Sequence, residues 1–197
     1  MLAQDQPVDW TPKAHDLLEA AAALFYERGI AAVGVDTVAQ HAGVTKKTLY
    51  DRFGSKERLV AEYLRSREEQ RRAALVAALD EARDPVERVA AVFDGTRAWA
   101  AAQPVWRGCP VVNAHAEINT AGHPAYPLVA EQKRWTLDLF SGLLVYAGVP
   151  AEHRDALATQ LLALLEGAQV VVGMGADPHG FLRARDAGVA LVRSVLA

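Results

Sequence analysis

The sequence predicts an all-α protein of about nine helices. Three observations carry that expectation: apolar residues recur at three-to-four spacing in most segments, helix caps and helix-starting prolines stand at nearly every boundary, and no stretch reads confidently as a strand. With 197 residues, 51% of them hydrophobic, the chain is long enough to bury a real core.

Taken in order, Thr11-Pro12 reads as an N-cap and a proline at the first helical position. Ala14, Leu17, Leu18, Ala21 and Phe25 then follow at helical spacing until Gly29. Two short pieces, about residues 36–42 and 46–53, flank Gly43. Gly54 closes the second piece, and Ser55 caps a long fourth helix to about Glu81. Asp84, Pro85 and Glu87 supply the cap, the proline and the capping-box carboxylate of a helix to about Gln103. After a break at Pro104, "WRGCPVVNAHAEIN" holds a short helix from Pro110. Pro124 is expected to open the next helix and Gly148-Val149-Pro150 to end it, and Asp177-Pro178 separates the last two. Repeats, low-complexity tracts and Pro- or Ser-rich linkers are absent, so the natural division lies inside the fourth helix.

Charge and cysteine usage narrow the function classes. The formal net charge is −3, so the chain is no polycation. Yet residues 45–58 hold five basic side chains (Lys46, Lys47, Arg52, Lys56, Arg58) against two acidic ones (Asp51, Glu57), a local excess of three. No uninterrupted apolar run has the length of a membrane span, and "MLAQDQPVDW" lacks the basic-then-apolar order of a signal peptide. A cytoplasmic protein with no membrane partner is therefore expected. The single cysteine, Cys109, fits a reducing compartment.

The basic cluster lies in "DTVAQHAGVTKKTLYDRF". Val38, Ala39, Ala42, Val44, Leu49 and Phe53 would face inward, with Gly43 in the turn between two helices, which is helix-turn-helix geometry. In such a motif the N-terminal residues of the second helix reach base edges, while nearby hydroxyls and amines hold phosphates. A solvated amphipathic helix with a glycine turn would show the same local pattern.

The surrounding residues separate the two. "LLEAAAALFYERG" followed by "TVAQHAGVTKKTLYDRFGSKERLV" resembles the N-terminal DNA-binding domain of the TetR family of bacterial transcriptional regulators (TetR/AcrR-type) over about fifty residues. The AGV, the T-L-Y triplet, the aromatic Phe53 and the S-K-E of the next helix all fall in register. A stretch similar to "WRGCPVVNAHAE" occurs in one subfamily, and resemblance over the rest of the C-terminal part is looser. The resemblance implies an N-terminal three-helix DNA-binding domain over residues 11–58, with a fourth helix linking to about 81. It implies an effector-binding and dimerisation domain over 59–197, and residues 1–10 form a flexible arm.

The resemblance also implies roles. Lys46, Lys47, Thr48 and Asp51 match base-facing positions, Tyr50 and Lys56 match phosphate contacts, and Thr37 is a further phosphate candidate. The chemistry agrees: lysine donates to guanine O6 and N7, threonine touches the thymine methyl, and aspartate accepts from cytosine N4. Where family members place Ser or Thr as the cap of the second helix, this chain has Gly34, a cap weaker by only a few tenths of a kcal/mol.

The partners expected are double-stranded operator DNA, a second copy of the chain and a small, apolar or aromatic effector. Leu157, Leu161, Leu164, Ala168 and Val171 form one apolar stripe of the penultimate helix, and Ala158, Leu162, Leu165 and Val172 form another. With Phe181, Ala184, Gly188, Leu191 and Val195 of the last helix, the first stripe is the expected homodimer interface, internal core being the other reading. Candidates for the effector pocket are Trp99, Trp106, Asn113, His115, Glu117, Tyr126, Trp135 and Gln169, aromatics interleaved with a few polar groups. No cofactor or metal is expected. A metal-responsive or Cys109-based redox regulator is an alternative, and a metal-dependent enzyme a remote one, since "HAE" at 115–117 lacks the paired cysteines of a zinc deaminase. Nucleophile elbows, P-loops and dinucleotide fingerprints are absent, so no enzyme activity is expected.

Overall fold

The computed structural model describes residues 8, 10–118 and 122–196, so the expected N-terminal arm falls outside the described residues except for Val8 and Trp10. The described residues form nine helices and no strand. They are α1 (Pro12–Arg28), α2 (Val35–His41), α3 (Lys46–Phe53), α4 (Lys56–Glu81), α5 (Pro85–Ala101), α6 (Pro110–Glu117), α7 (Tyr126–Tyr146), α8 (Ala151–Gly173) and α9 (Gly180–Leu196).

Most boundaries follow from local chemistry. Thr11 accepts from the Ala14 amide and Pro12 starts α1. Asp84 Oδ1 accepts from the amides of Val86 (2.8 Å) and Glu87 (2.9 Å), satisfying two of the donors a helix N-terminus leaves open. Two boundaries differ from expectation. α7 starts at Tyr126 and not at Pro124, because His123 Nδ1 accepts from the Ala125 amide (3.1 Å) and its carbonyl from the Tyr126 amide (2.9 Å), which puts Pro124 in a turn. α5 stops at Ala101, two residues before Gln103, whose amide turns back to Ala100 O at 3.1 Å.

Two compact units result. One comprises residues 1–66 and 113–128, the other 67–112 and 129–197, so the division falls within α4, within α6 and near the start of α7. The sequence division had placed 113–128 with the C-terminal domain; here they cluster with the N-terminal helices.

In the first unit α1, α2 and α3 pack on a core that includes Leu17, Leu24, Phe25, Val38, Leu49, Phe53, Leu59 and Tyr63, with the Phe25 and Tyr63 rings edge to face at 5.9 Å. In the second, Val92, Phe93, Phe140, Leu144, Leu161 and Val192 centre one apolar cluster. α9 lies close against it at Gly188, where a Cβ would stand 2.8 Å from Leu161 Cδ2 and 3.3 Å from the Phe93 ring. A Cβ at 188 would force Leu161 or the helix to shift.

Candidate nucleic-acid interface

The helix-turn-helix forms as its sequence dictates. α2 ends in a Schellman closure: Gly43 takes φ +65°, and the Val44 amide reaches back to Ala39 O at 3.0 Å. A residue with a Cβ would be strained there. Thr45 then caps α3, its Oγ1 accepting from the Thr48 amide at 3.1 Å and lying 2.9 Å from the Thr48 hydroxyl. Leu49 and Phe53 are fully buried, which fixes the rotation of α3 and turns its opposite side to solvent.

That outer side carries Lys46, Lys47, Tyr50 and Asp51, all exposed. Thr48 is half-buried and its hydroxyl is engaged with Thr45. On α2, Thr37 is exposed, and Gly34 occupies the cap without a side-chain hydrogen bond. Lys46 Nζ lies 2.9 Å from Asp36 Oδ2, an exposed pair that joins α2 to α3. The hydrogen bond to Asp36, then its charge, raise the lysine pKa above its ordinary 10.5. Nothing in the sequence pattern singled out Asp36, ten residues away. Lys56 Nζ donates to Ile30 O at 2.6 Å and sits 5.9 Å over the Phe25 ring, so one of its three protons is committed to the α1–α2 turn.

The same turn is held from another side. Glu117, at the end of α6, accepts from the Ala31 amide at 2.7 Å. Below it, Ser55 Oγ accepts from the Arg58 amide (3.1 Å), and Glu57 is held below the usual carboxylate range by its own backbone amide and by the Ser55 hydroxyl. Burial pushes His123 below its ordinary 6.5, while the nearby Glu57 charge pulls the other way.

The effector candidates divide between the units. Asn113, His115, Glu117 and Tyr126 belong to the first, where Glu117 serves the Ala31 amide, the His115 and Tyr126 rings stand 6.4 Å apart, and Tyr126 is exposed. Trp99, Trp106, Trp135 and Gln169 belong to the second. There Trp99 meets Trp106 edge to face at 5.3 Å, and Trp106 lies 6.3 Å from Phe181. Trp135 lies under the guanidinium groups of Arg71 (5.2 Å) and Arg72 (4.5 Å), and Gln169 is buried. Cys109 is buried with its Sγ 3.5 Å from Lys133 Nζ. Among the described residues, no three His, Cys, Asp or Glu side chains gather as a metal site.

The stripe named from the sequence as a dimer surface lies mostly inside this subunit. Leu157, Leu161, Ala168, Phe181, Ala184 and Gly188 are buried, Leu164, Leu191 and Val195 are half-buried, and Val171 is exposed. The exposed apolar residues of α8 include Val171 and a stripe at helical spacing, Ala163, Gly167 and Val170, which Met174 continues just past the helix. Both stripes that periodicity marked on α8 are mostly buried or half-buried, and the exposed stripe is neither of them.

Known proteins agree with this architecture. Residues 17–63 match the family model of bacterial regulatory proteins of the tetR family, and residues 85–187 match that of the tetracyclin repressor-like C-terminal domain. The HTH-type transcriptional repressor KstR2 of Mycolicibacterium smegmatis is 34% identical over 92 residues, which are 47% of this chain and 45% of that protein. The match thus spans under half of that relative. A TetR-family transcriptional regulator from Streptomyces coelicolor superposes with a TM-score of 0.84 at 28% identity, over 96% of this chain and 99% of that one. A TetR regulator from Chloroflexus aurantiacus shares the fold with a TM-score of 0.80 at 22% identity, over 92% and 94% of the two chains. With a helix-turn-helix formed at Gly43 and both family models matched in order along the sequence, the chain belongs to the TetR family of bacterial regulatory proteins, which are DNA-binding transcriptional regulators.

Proposed function

We propose that the protein is a homodimeric repressor that binds a near-palindromic operator in the cytoplasm and leaves it when a small molecule binds the second unit. The observation that carries this reading is the outer face of α3, where Lys46, Lys47, Tyr50 and Asp51 are all exposed beside a fully buried Leu49–Phe53 side. The name of the KstR2 relative, a repressor, supports the sign of regulation. Lys46, Lys47, Thr48 and Asp51 read bases, while Thr37, Tyr50 and Lys56 hold phosphates. Thr48 contributes its methyl rather than its hydroxyl, which is already bonded to Thr45.

Dimerisation uses the outer faces of α8 and α9. α8 has 33% of its most apolar stretch buried, and Val170, Val171 and Met174 stay exposed, Met174 at 80%. A second copy covering them would set the two recognition helices on the order of 34 Å apart, or at a multiple of that spacing. Effector binding then favours a pose of the dimer that does not fit the operator, by no more than its own preference between the poses.

The test is selection of bound duplexes from a random pool at two salt concentrations. A near-palindrome is expected, and recovery without a motif would remove the specific-regulator reading. On the selected site, Lys47→Ala should change base preference. Tyr50→Phe and Lys56→Ala should weaken binding to all sequences, and Lys56→Ala should also lower the salt slope by about one. Gly167→Glu should give monomers by sedimentation and lose operator binding; a dimeric Gly167→Glu protein would displace the interface from α8.

A further inference from the structure

The buried polar atoms of the second unit without a hydrogen-bond partner among the described residues include Trp99 Nε1, Gln132 Oε1 and Gln169 Oε1. Their residues are 5%, 3% and 3% exposed. An unpartnered buried donor or acceptor costs stability, so such atoms are few in native cores and call for a specific reason. Neighbouring polar groups show the ordinary state. The Thr96 hydroxyl donates to Val92 O (2.8 Å), and the Thr136 hydroxyl donates to Gln132 O (3.0 Å) while accepting from Arg71 Nη2 (3.2 Å).

Contacts within the second unit link the helices that carry these three residues. Arg71 of α4 reaches the Thr136 turn of α7 that contains Gln132, and Arg67 of α4 lies 5.7 Å over the Trp99 ring on α5. Lys133, next to Gln132, binds Glu166 of α8 at 2.7 Å, and the same carboxylate oxygen accepts from Gln169 Nε2 at 3.2 Å. The segment carrying Trp106 runs against α8 so closely that a Cβ on Gly173 would stand 2.5 Å from the Gly108 amide.

Charge narrows what they await. Lys133 is paired with Glu166, and Arg71 and Arg72 share Glu68, each at 2.7 Å. The three atoms are themselves neutral, two amide carbonyls and one indole N–H. A carboxylate or fully ionised phosphate has no donor to offer the two carbonyls, and an ammonium has no acceptor to offer the indole N–H. Gln169 keeps its orientation because its Nε2 is spent on Glu166, so its carbonyl asks for a donor. Exchanging O and N on Gln132 would only exchange an unmet acceptor for an unmet donor. A hydroxyl meets either need, since it both donates and accepts.

Resting on the effector reading above, we infer that the second unit takes a neutral aromatic-sized alcohol or phenol with at least two hydroxyls. They donate to Gln132 and Gln169 and accept from the Trp99 N–H, and the apolar body packs beside the Trp99, Trp106 and Phe181 rings.

The test is calorimetry on the full-length protein, without DNA, using a naphthalenediol, the dimethoxynaphthalene and the naphthalenedicarboxylate of the same substitution pattern. The diol should bind at least about tenfold tighter than the diether, which cannot donate, and the dicarboxylate should not bind. Gln132→Met should raise the melting temperature of the unliganded protein by a few degrees, on the order of 2–4 °C, and weaken the diol by about tenfold. Equal binding of diol and diether, binding of the dicarboxylate, no binding by any of the three, or a Gln132→Met protein that melts lower would each overturn the inference. Operator binding by the same samples reports separately on the regulator reading, since it involves neither glutamine.

Discussion

The two units bury different things. Of the six buried polar or charged side chains among the described residues, Glu62 alone belongs to the first unit, where it pairs with Arg65. Arg71, Thr96, Gln132, Thr136 and Gln169 belong to the second. A surface that recognises a polyanion needs cations and hydroxyls in water, held in place by an apolar layer beneath. A unit that recognises a small molecule needs polar atoms already stripped of water, at a standing cost to its own stability. The first unit sets exposed cations and hydroxyls over an apolar layer, and the second keeps most of the buried polar side chains in its interior.

The sharpest break of this contrast is a cavity in the apolar layer under the recognition helix. Phe53→Ala should cost about 3–5 kcal/mol in urea unfolding and abolish operator binding, and a loss below about 1 kcal/mol would show that α3 is held by something other than its buried side. Next comes the turn between α1 and α2. Glu117→Ala removes the acceptor of the Ala31 amide and should cost about 1–2 kcal/mol, with faster hydrogen exchange at that amide. Unchanged exchange at Ala31 would mean the bond is replaced by water without loss.

A smaller effect is expected at the exposed Asp36–Lys46 pair. Asp36→Asn should leave the unfolding midpoint unmoved, because solvent screens the pair, yet change operator affinity by freeing Lys46. A shifted midpoint with unchanged affinity would reverse that assignment. The smallest concerns pH. Burial holds His123 below 6.5, so the unfolded chain takes up that proton first. Stability should fall as pH drops from about 6.5 toward the folded value and then level, until the depressed Glu57 begins to titrate lower down. His123→Gln should flatten the upper part of that decline, measured by unfolding at a series of pH values, and an unaltered profile would remove His123 as its source.

What the sequence made legible was local. Thr45, Gly43 and Asp84 act within five residues of themselves, so the turn, the caps and most helix boundaries could be read from spacing. Pro124 could not, because a proline starts a helix or sits in a turn equally well, and the His123 ring nitrogen decides between them. α8 reads from spacing as two apolar stripes, yet Leu157 and Leu161 of one and Ala158 and Leu165 of the other all turn inward, while Val170 and Met174, in neither, stay exposed. Glu117 reads from the sequence, with Asn113 and His115, as a polar group that faces water or lines something, and the amide it accepts from stands 86 residues earlier, beyond the reach of any local pattern. Gln132 was passed over since a glutamine on a long helix usually faces water.

The Glu117–Ala31 hydrogen bond also sets an order of assembly and a limit on exchange. During synthesis, the turn that orients α2 and α3 receives this bond only after α6 has emerged, well after the reading head itself is made. Transplanting residues 1–66 alone into a relative would leave the Ala31 amide to whatever that relative's sixth helix offers. A graft that keeps its grip on DNA should carry residues 113–128 with it, two separated stretches inherited as one part.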